Sequence, residues 1–377
     1  MDFGFSDEQE MLRQTARSFL DENCPSAVVR QLMEDDRGYD PNLWKEMADL
    51  GWLGLIYPEA YGGSGGDFFD LFALFEEMGK AVLPSPFFCS AVFAGLIIQG
   101  AGDDRLRKEY LPGILQGKRI LTVGLRNEQG VYDYPDPGLE AQETGESSYR
   151  IKGTRLLVPY AHVADEILVC ARLRKASGSF GPTLFKTKNK GPGVQVIPLH
   201  TLTEEKQFAV TYTDFAAAPQ DLVGSPGKGA EVIEKIMPRL IILKCGEMVG
   251  GLSKVVDMTV DYVKQRVQFG RPLGTLQAVQ HSCADMATFL DTARLIAYQA
   301  ASLISADLPC AKEVAMAKAW CSDVYKRGTQ MAHQMHGGIG FTEEHDLHLY
   351  YKHAKAAELE FGDSRHHRQK VAEEMGL

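Results

Sequence analysis

From residue 230 to 360 the chain is dominated by four long stretches, 230–268, 275–305, 312–335 and 343–360. They are rich in Ala, Leu, Met and Val at helical spacing and are divided by Gly270-Arg271-Pro272, by Pro309 and by Gly337-Gly338-Ile339-Gly340. Helices of that length, closed by such breakers, bury their apolar faces against one another, so the pattern predicts a C-terminal antiparallel four-helix bundle over 229–377. Before it the texture is different. Between 121 and 228 short β-type runs (Ile120–Val123, Tyr149–Lys152, Ile167–Ala171, Val194–Ile197, Phe208–Tyr212) are separated by turn residues such as Asp133-Tyr134-Pro135-Asp136-Pro137-Gly138 and Lys190-Gly191-Pro192-Gly193. These predict a middle β domain, barrel-like in organisation.

Residues 1–120 carry helical punctuation. Ser6 with Gln9 forms a capping box ahead of the amphipathic run Met11, Leu12, Ala16, Phe19, Leu20. A second run, Leu43–Leu50, stops at Gly51, and Ile56–Gly63 reads as an extended loop. A further helix begins near Asp67 or Asp70 and ends near Gly79. The uncharged stretch Ala81–Gly102 contains Pro84, Pro86, Gly95 and Gly100, which suits a turn and a buried helix better than a membrane span of about 20 apolar residues. The fold class expected is mainly α with a central β domain.

Composition narrows the function. The 377 residues carry 50 acidic and 40 basic side chains, a formal net charge of −10, and show no basic block, which argues against nucleic-acid binding. Seven cysteines are scattered with no CxxC pair, as expected of reduced thiols. No metal site is expected, and adjacent His366 and His367 read as polar surface or interface residues. Met1–Glu8 has neither the basic nor the apolar region of a secretory signal, so a cytoplasmic protein is expected.

Two segments stand out chemically. Arg266, Gln268 and Phe269 lie where Gly270 and Pro272 end a helix. The arginine either offsets the negative end of the helix dipole or offers its guanidinium fork to a phosphate. Gln334–Gly340 is either a glycine-rich helix C-terminus or a stretch of exposed backbone N–H groups that a ligand approaches closely.

The order of domains and these local sequences together resemble the acyl-CoA dehydrogenase superfamily over nearly the whole chain. The residues that carry the likeness are Tyr57-Pro58-Glu59-Ala60-Tyr61-Gly62-Gly63, Lys152-Gly153-Thr154-Arg155 through Ala164-Asp165, Arg266-Val267-Gln268-Phe269-Gly270-Arg271-Pro272-Leu273 with Gln277-Ala278-Val279-Gln280, and Gln334-Met335-His336-Gly337-Gly338-Ile339-Gly340-Phe341. The resemblance implies FAD as cofactor, held by Arg266, Gln268, Phe269, Gln277, Gln334, Gly337, Gly338 and Gly340, with Phe269 reaching across a subunit interface. It further implies an acyl-CoA substrate oxidised to a 2,3-enoyl-CoA, an electron-transfer flavoprotein as acceptor, and a homo- or hetero-tetramer.

That chemistry needs a carboxylate base in an apolar site. The family's commonest base position falls on Phe361, and the known alternative, on the helix before Arg266, falls on Leu240. Glu360 would need a one-residue slip. Glu247 lies seven residues beyond Leu240, nearly on the same helix face and about 10 Å along it. Its neighbours Ile241, Ile242, Cys245, Met248 and Val249 are apolar, and Gly246, Gly250 and Gly251 leave room for a ligand. Glu247 is therefore the expected base, unless it is ion-paired to a neighbour such as Lys244. The segments 157–165, 247–250 and 361–368 are similar to the branch acting on steroid side chains, ring acids and dicarboxylic or aromatic-derived acyl-CoAs, some members of which pair a catalytic with a non-catalytic subunit. One departure is Val123–Gly130, where Arg126 replaces the family's flavin-contacting Thr. The alternative expectation is thus a non-catalytic subunit that completes the FAD site of another chain.

Overall fold

The computed structural model describes residues 5–101, 103–127, 138–144, 148–175 and 178–377. Helices α1 (Asp7–Asn23), α2 (Ser26–Glu34), α3 (Pro41–Asp49), α4 (Phe68–Ala81), α5 (Gly95–Gly100) and α6 (Asp104–Leu115) come first. Strands β1 (Leu121–Gly124), β2 (Leu139–Thr144), β3 (Ser148–Pro159), β4 (Glu166–Lys175), β5 (Gly178–Thr187), β6 (Val194–Leu199), β7 (Gln207–Ala217) and β8 (Leu222–Val223) follow. The remainder is α7 (Gly229–Gln265), a ribbon of β9 (Val267–Gln268) and β10 (Arg271–Pro272), then α8 (Gln277–Ser305), α9 (Ala311–His336), α10 (Leu347–Leu359) and α11 (Ser364–Glu374). Two compact units result. One comprises Met1–Arg30, Asp67–Leu83 and Ile241–Leu377, and the other Gln31–Gly66 and Pro84–Leu240.

In the first unit α1 starts at the predicted Ser6 cap and α4 near Asp67, as expected. Ser6 and Gln9 exchange side-chain and backbone hydrogen bonds ahead of α1, and Asp67 and Asp70 do the same ahead of α4. Helices α8 and α9 run antiparallel, because Cys283 near the start of α8 meets Met335 near the end of α9, while Thr292 meets Trp320 midway. Helices α10 and α11 also pack on α9. The tail beyond Phe361 was not expected to be helical, yet Asp363 caps the His366 N–H and α11 follows.

Contrary to expectation, the glycines of α7 leave no room for a ligand. A Cβ on Gly250 would lie 1.9 Å from the Glu76 carbonyl oxygen, one on Gly246 would press on the Phe72 ring, and one on Gly251 would strike the Tyr325 hydroxyl at 2.1 Å. The small-residue face lets α4 and the Tyr325 side chain approach the α7 backbone directly.

In the second unit, the sheet among the described residues runs β6-β7-β3-β2-β4-β5-β8, with β1 also pairing β4. Both β1 and β2 lie parallel to β4, and the other pairs are antiparallel. The end strands β6 and β8 do not pair, so the sheet is open rather than a closed barrel. Strands β2 and β5 went unpredicted. One face buries Leu139, Ile151, Val158, Ile167, Val169, Phe185 and Val210. The predicted turn at 133–138 falls outside the described residues except for Gly138. Ala81–Gly102 holds the expected buried helix, in which a π-helical stretch Phe88–Ala94 runs into α5. No helix among the described residues is long and apolar enough to cross a membrane.

Candidate active site

About two turns of α7, which also carry buried Ile242, Cys245, Met248 and Val249, present Lys244 and Glu247. The Lys244 ammonium donates to Glu247 Oε2 at 2.8 Å, so the ion pair weighed as an alternative from the sequence is formed. Both side chains are only slightly exposed. The same ammonium lies 3.3 Å from Glu360 Oε2, which enters from the loop after α10. His353 of α10 brings Nε2 to 4.0 Å from Glu247 Oε2, and its Nδ1 faces the Tyr325 hydroxyl at 3.3 Å. Burial, aided by the Lys244 charge, pushes His353 down to about 4, so at neutral pH the ring is uncharged and its approach to Glu247 is not an ion pair.

The loop that carries Glu360 is clamped. Phe361 (φ 57°) and Gly362 (φ 105°) both take left-handed backbone, and the Phe361 side chain is buried. The buried Lys318 ammonium of α9 donates to the carbonyls of Ala357, Glu358 and Gly362 and to Ser322 Oγ, at 2.8–3.2 Å. His367 Nε2 meets the Phe361 carbonyl at 2.9 Å. His367 is thus buried rather than a surface residue, and burial pushes it down to about 4. Neither Lys318 nor His353 is suggested by sequence, because the loop carbonyls that Lys318 meets and the Tyr325 hydroxyl that His353 meets lie 28 or more residues away.

The second cluster lies at the far end of α7. The helix stops at Gln265, and instead of a plain helix terminus the next residues form a two-stranded ribbon, with Gln268 opposite Arg271 and Val267 opposite Pro272. Phe269 (φ 55°) and Gly270 (φ 75°) are its two turn residues, as a type I′ turn requires. Phe269 stands 86% exposed at the tip. Arg266, Gln268, Gln277 and Gln334 are exposed as well. Tyr262, one turn before Arg266, stacks on His336, the residue before Gly337, with ring centroids 4.3 Å apart. That stacking and the Cys283–Met335 contact bring the Arg266 ribbon, the start of α8 with Gln277, and the Gln334–Gly340 segment to one end of the unit. Glu247 is not among them. It lies nineteen residues before Arg266, roughly 28 Å along the helix.

A Cβ on Gly337 or Gly338 would meet nothing within 4 Å. Open backbone beside an exposed arginine fits a diphosphate such as that of FAD. Gly340 differs, because it is buried and a Cβ there would lie 3.1 Å from His336 and 3.3 Å from Leu347, so its missing side chain serves packing. Arg126 is half-buried and its carbonyl accepts from the Leu156 N–H, whereas Glu128, Gln129 and Gly130 fall outside the described residues.

The family model for the N-terminal domain of acyl-CoA dehydrogenases matches residues 6–118, and that for the C-terminal domain matches 227–376. The chain belongs to the acyl-CoA dehydrogenase superfamily. It is an FAD-dependent oxidoreductase of the acyl-CoA dehydrogenase type. It is 28% identical to acyl-CoA dehydrogenase IpdE2 of Mycolicibacterium smegmatis, covering 98% of this chain and 99% of that one. It is 25% identical to the caffeyl-CoA reductase–Etf complex subunit CarC of Acetobacterium woodii, over 96% of both. Among solved structures it is similar to the ChsE4–ChsE5 complex from Mycobacterium tuberculosis, with a TM-score of 0.89, 27% identity and coverage of 100% and 99%.

Proposed function

We propose that this chain is a catalytic acyl-CoA dehydrogenase in which Glu247 removes the α proton of the thioester substrate. The observation that carries this is the Glu247 carboxylate itself, largely buried on α7 beside Lys244 and His353, while Phe361 at the family's usual base position has no proton-accepting group. The α C–H electron pair becomes the new C2–C3 π bond, the proton goes to Glu247, and hydride leaves the β carbon. Bound FAD supplies the hydride acceptor at N5. Arg266 would meet the diphosphate with its guanidinium, Gln268, Gln277 and Gln334 would donate or accept hydrogen bonds around it, and the open backbone at Gly337 and Gly338 would let it approach. Phe269, exposed at a ribbon tip, is suited to reach a second subunit. An electron-transfer flavoprotein would reoxidise the enzyme, in keeping with the Etf complex to which CarC belongs.

A second reading has its own support. Phe361, together with the Lys244–Glu247 ion pair and the likeness to one half of a two-component complex, suits a non-catalytic subunit that completes another chain's flavin site. Purifying the chain alone and mixing it with straight-chain and cyclic acyl-CoAs separates the two. Yellow protein whose flavin absorption bleaches supports the enzyme. Colourless protein that gains flavin only with a second dehydrogenase-like chain supports the subunit.

A further inference from the structure

Lys244 faces two carboxylates that come from different elements. Glu247 follows it by three residues on α7 at 2.8 Å, and Glu360 reaches it from the loop after α10 at 3.3 Å. A lysine and glutamate at this spacing on a solvated helix are worth only a few tenths of a kcal/mol and signify little. Here the ammonium and the Glu247 carboxylate retain only 12% and 14% of their exposure, so their interaction is poorly screened. Glu360 is not a chance neighbour on a loose segment either. Lys318 and His367 tie the backbone on both sides of it, through the carbonyls of Ala357, Glu358, Phe361 and Gly362.

An ammonium paired with Glu247 alone would hold that carboxylate strongly ionised and make it a poor acceptor for a weakly acidic α proton. A second carboxylate on the same ammonium divides its field. Taking Glu247 as the base, as proposed above, we infer that Lys244 is a positioning residue shared between two carboxylates, and that Glu360 draws its ammonium off Glu247 and so maintains the basicity of the catalytic group. Glu360 then acts through Lys244 and not on the substrate.

Among the described residues, other titratable groups lie on the elements packed around this one. His353 on α10, pushed down to about 4 by burial, is uncharged at neutral pH. Tyr325 on α9 is buried, which pushes its hydroxyl up, out of the titrating range. Lys318 on α9 is committed to the loop carbonyls. On α4, Glu76 is met by Arg13 and Arg294, while Glu77 is met by Arg13, Arg17 and Lys80.

The test uses flavin-loaded enzyme and compares wild type with Lys244→Met, Lys244→Arg, Glu360→Gln and Glu247→Gln. Two quantities are read, the acidic limb of the kcat–pH profile and the pH at which the Glu247 carboxyl C=O stretch vanishes in isotope-edited infrared difference spectra. Removing the cation in Lys244→Met should move both to higher pH by about one to three units. Lys244→Arg should bring both back toward wild type. Glu360→Gln should move both the opposite way and lower kcat by about threefold to tenfold with KM little changed.

Unmoved limbs in both variants, or shifts in the same direction, would overturn the inference. If Lys244→Met fails to fold, Glu360→Gln decides alone, since its side chain is more exposed and the downward shift is still required. If Glu247→Gln is inactive while the limbs stay put, only the shared-ammonium inference falls. If Glu247→Gln turns over normally, the assignment of the base falls and the inference with it. An inactive Glu360→Gln beside an active Glu247→Gln would make Glu360 the base and contradict both.

Discussion

The Lys318 ammonium donates to the carbonyl oxygen of Gly362 at 2.8 Å. Through that bond a buried lysine on α9 fixes the far end of the loop that bears Glu360 and Phe361, while it also donates to the Ala357 and Glu358 carbonyls at the end of α10. Lys318→Met would strand these acceptors and loosen the loop.

The same lysine gives stability a pH dependence of defined sign. Burial pushes it down to about 8 in the folded protein, whereas the unfolded chain titrates at the ordinary value of 10.5. Below about pH 8 both states hold the proton and the penalty for burying the charge is fully present. Between about 8 and 10.5 the unfolded chain binds the extra proton, so stability relative to Lys318→Met should rise with pH, by up to about 3 kcal/mol. Urea unfolding of both proteins between pH 7 and 10.5 checks this, and a difference that stays flat or falls with pH would contradict it.

Gly250 should be intolerant of any side chain. The Cβ of Gly250→Ala would meet the Glu76 carbonyl oxygen, a backbone atom that cannot swing aside, and the loss should reach about 3 kcal/mol or more. Gly338→Ala, in open space, should stay within about 0.5 kcal/mol. Thermal melts of the two proteins make the comparison.

Glu76 is fully buried and accepts from Arg294 Nη2 at 2.8 Å, from Tyr298 Oη at 2.7 Å and from Arg13 Nη2 at 3.4 Å. It therefore ties α1 and α8 to α4. Glu76→Gln removes the buried carboxylate that Arg294 pairs with, while Arg13 keeps Glu10 and Glu77, and should destabilise by about 3–5 kcal/mol in chemical denaturation.

Arg266 is exposed and closes only the small ribbon. Arg266→Gln should leave the melting of the apoprotein unchanged and weaken FAD retention by about tenfold to a hundredfold, the worth of charge-assisted hydrogen bonds to a phosphate. Flavin release during equilibrium dialysis measures it.

Local signals were the legible ones. The Ser6–Gln9 box, the helix start near Asp67, the breakers at 270–272 and 309, and the three-residue spacing of Lys244 and Glu247 all act within a few residues, and the structure contains each of them. The segments that resemble the family's cofactor motifs stand out in the sequence because they are contiguous. What escaped depends on distant partners. The α7 glycines looked like space for a ligand because nothing local shows that α4 fills it. Lys318 meets carbonyls 39 to 44 residues away, and Glu360 reaches Lys244 across more than a hundred residues. Strand β2 (Leu139–Thr144) is too polar and β5 (Gly178–Thr187) too interrupted by Gly and Pro to show a β-type apolar run, and α11 is too polar to show a helical apolar stripe.

The central claim is that Glu247 takes the α proton. Glu247→Gln should fold and retain FAD, and on rapid mixing with an acyl-CoA that bleaches the wild-type flavin its single-turnover reduction should slow by about 10²–10⁴-fold. Bleaching at the wild-type rate would contradict the account.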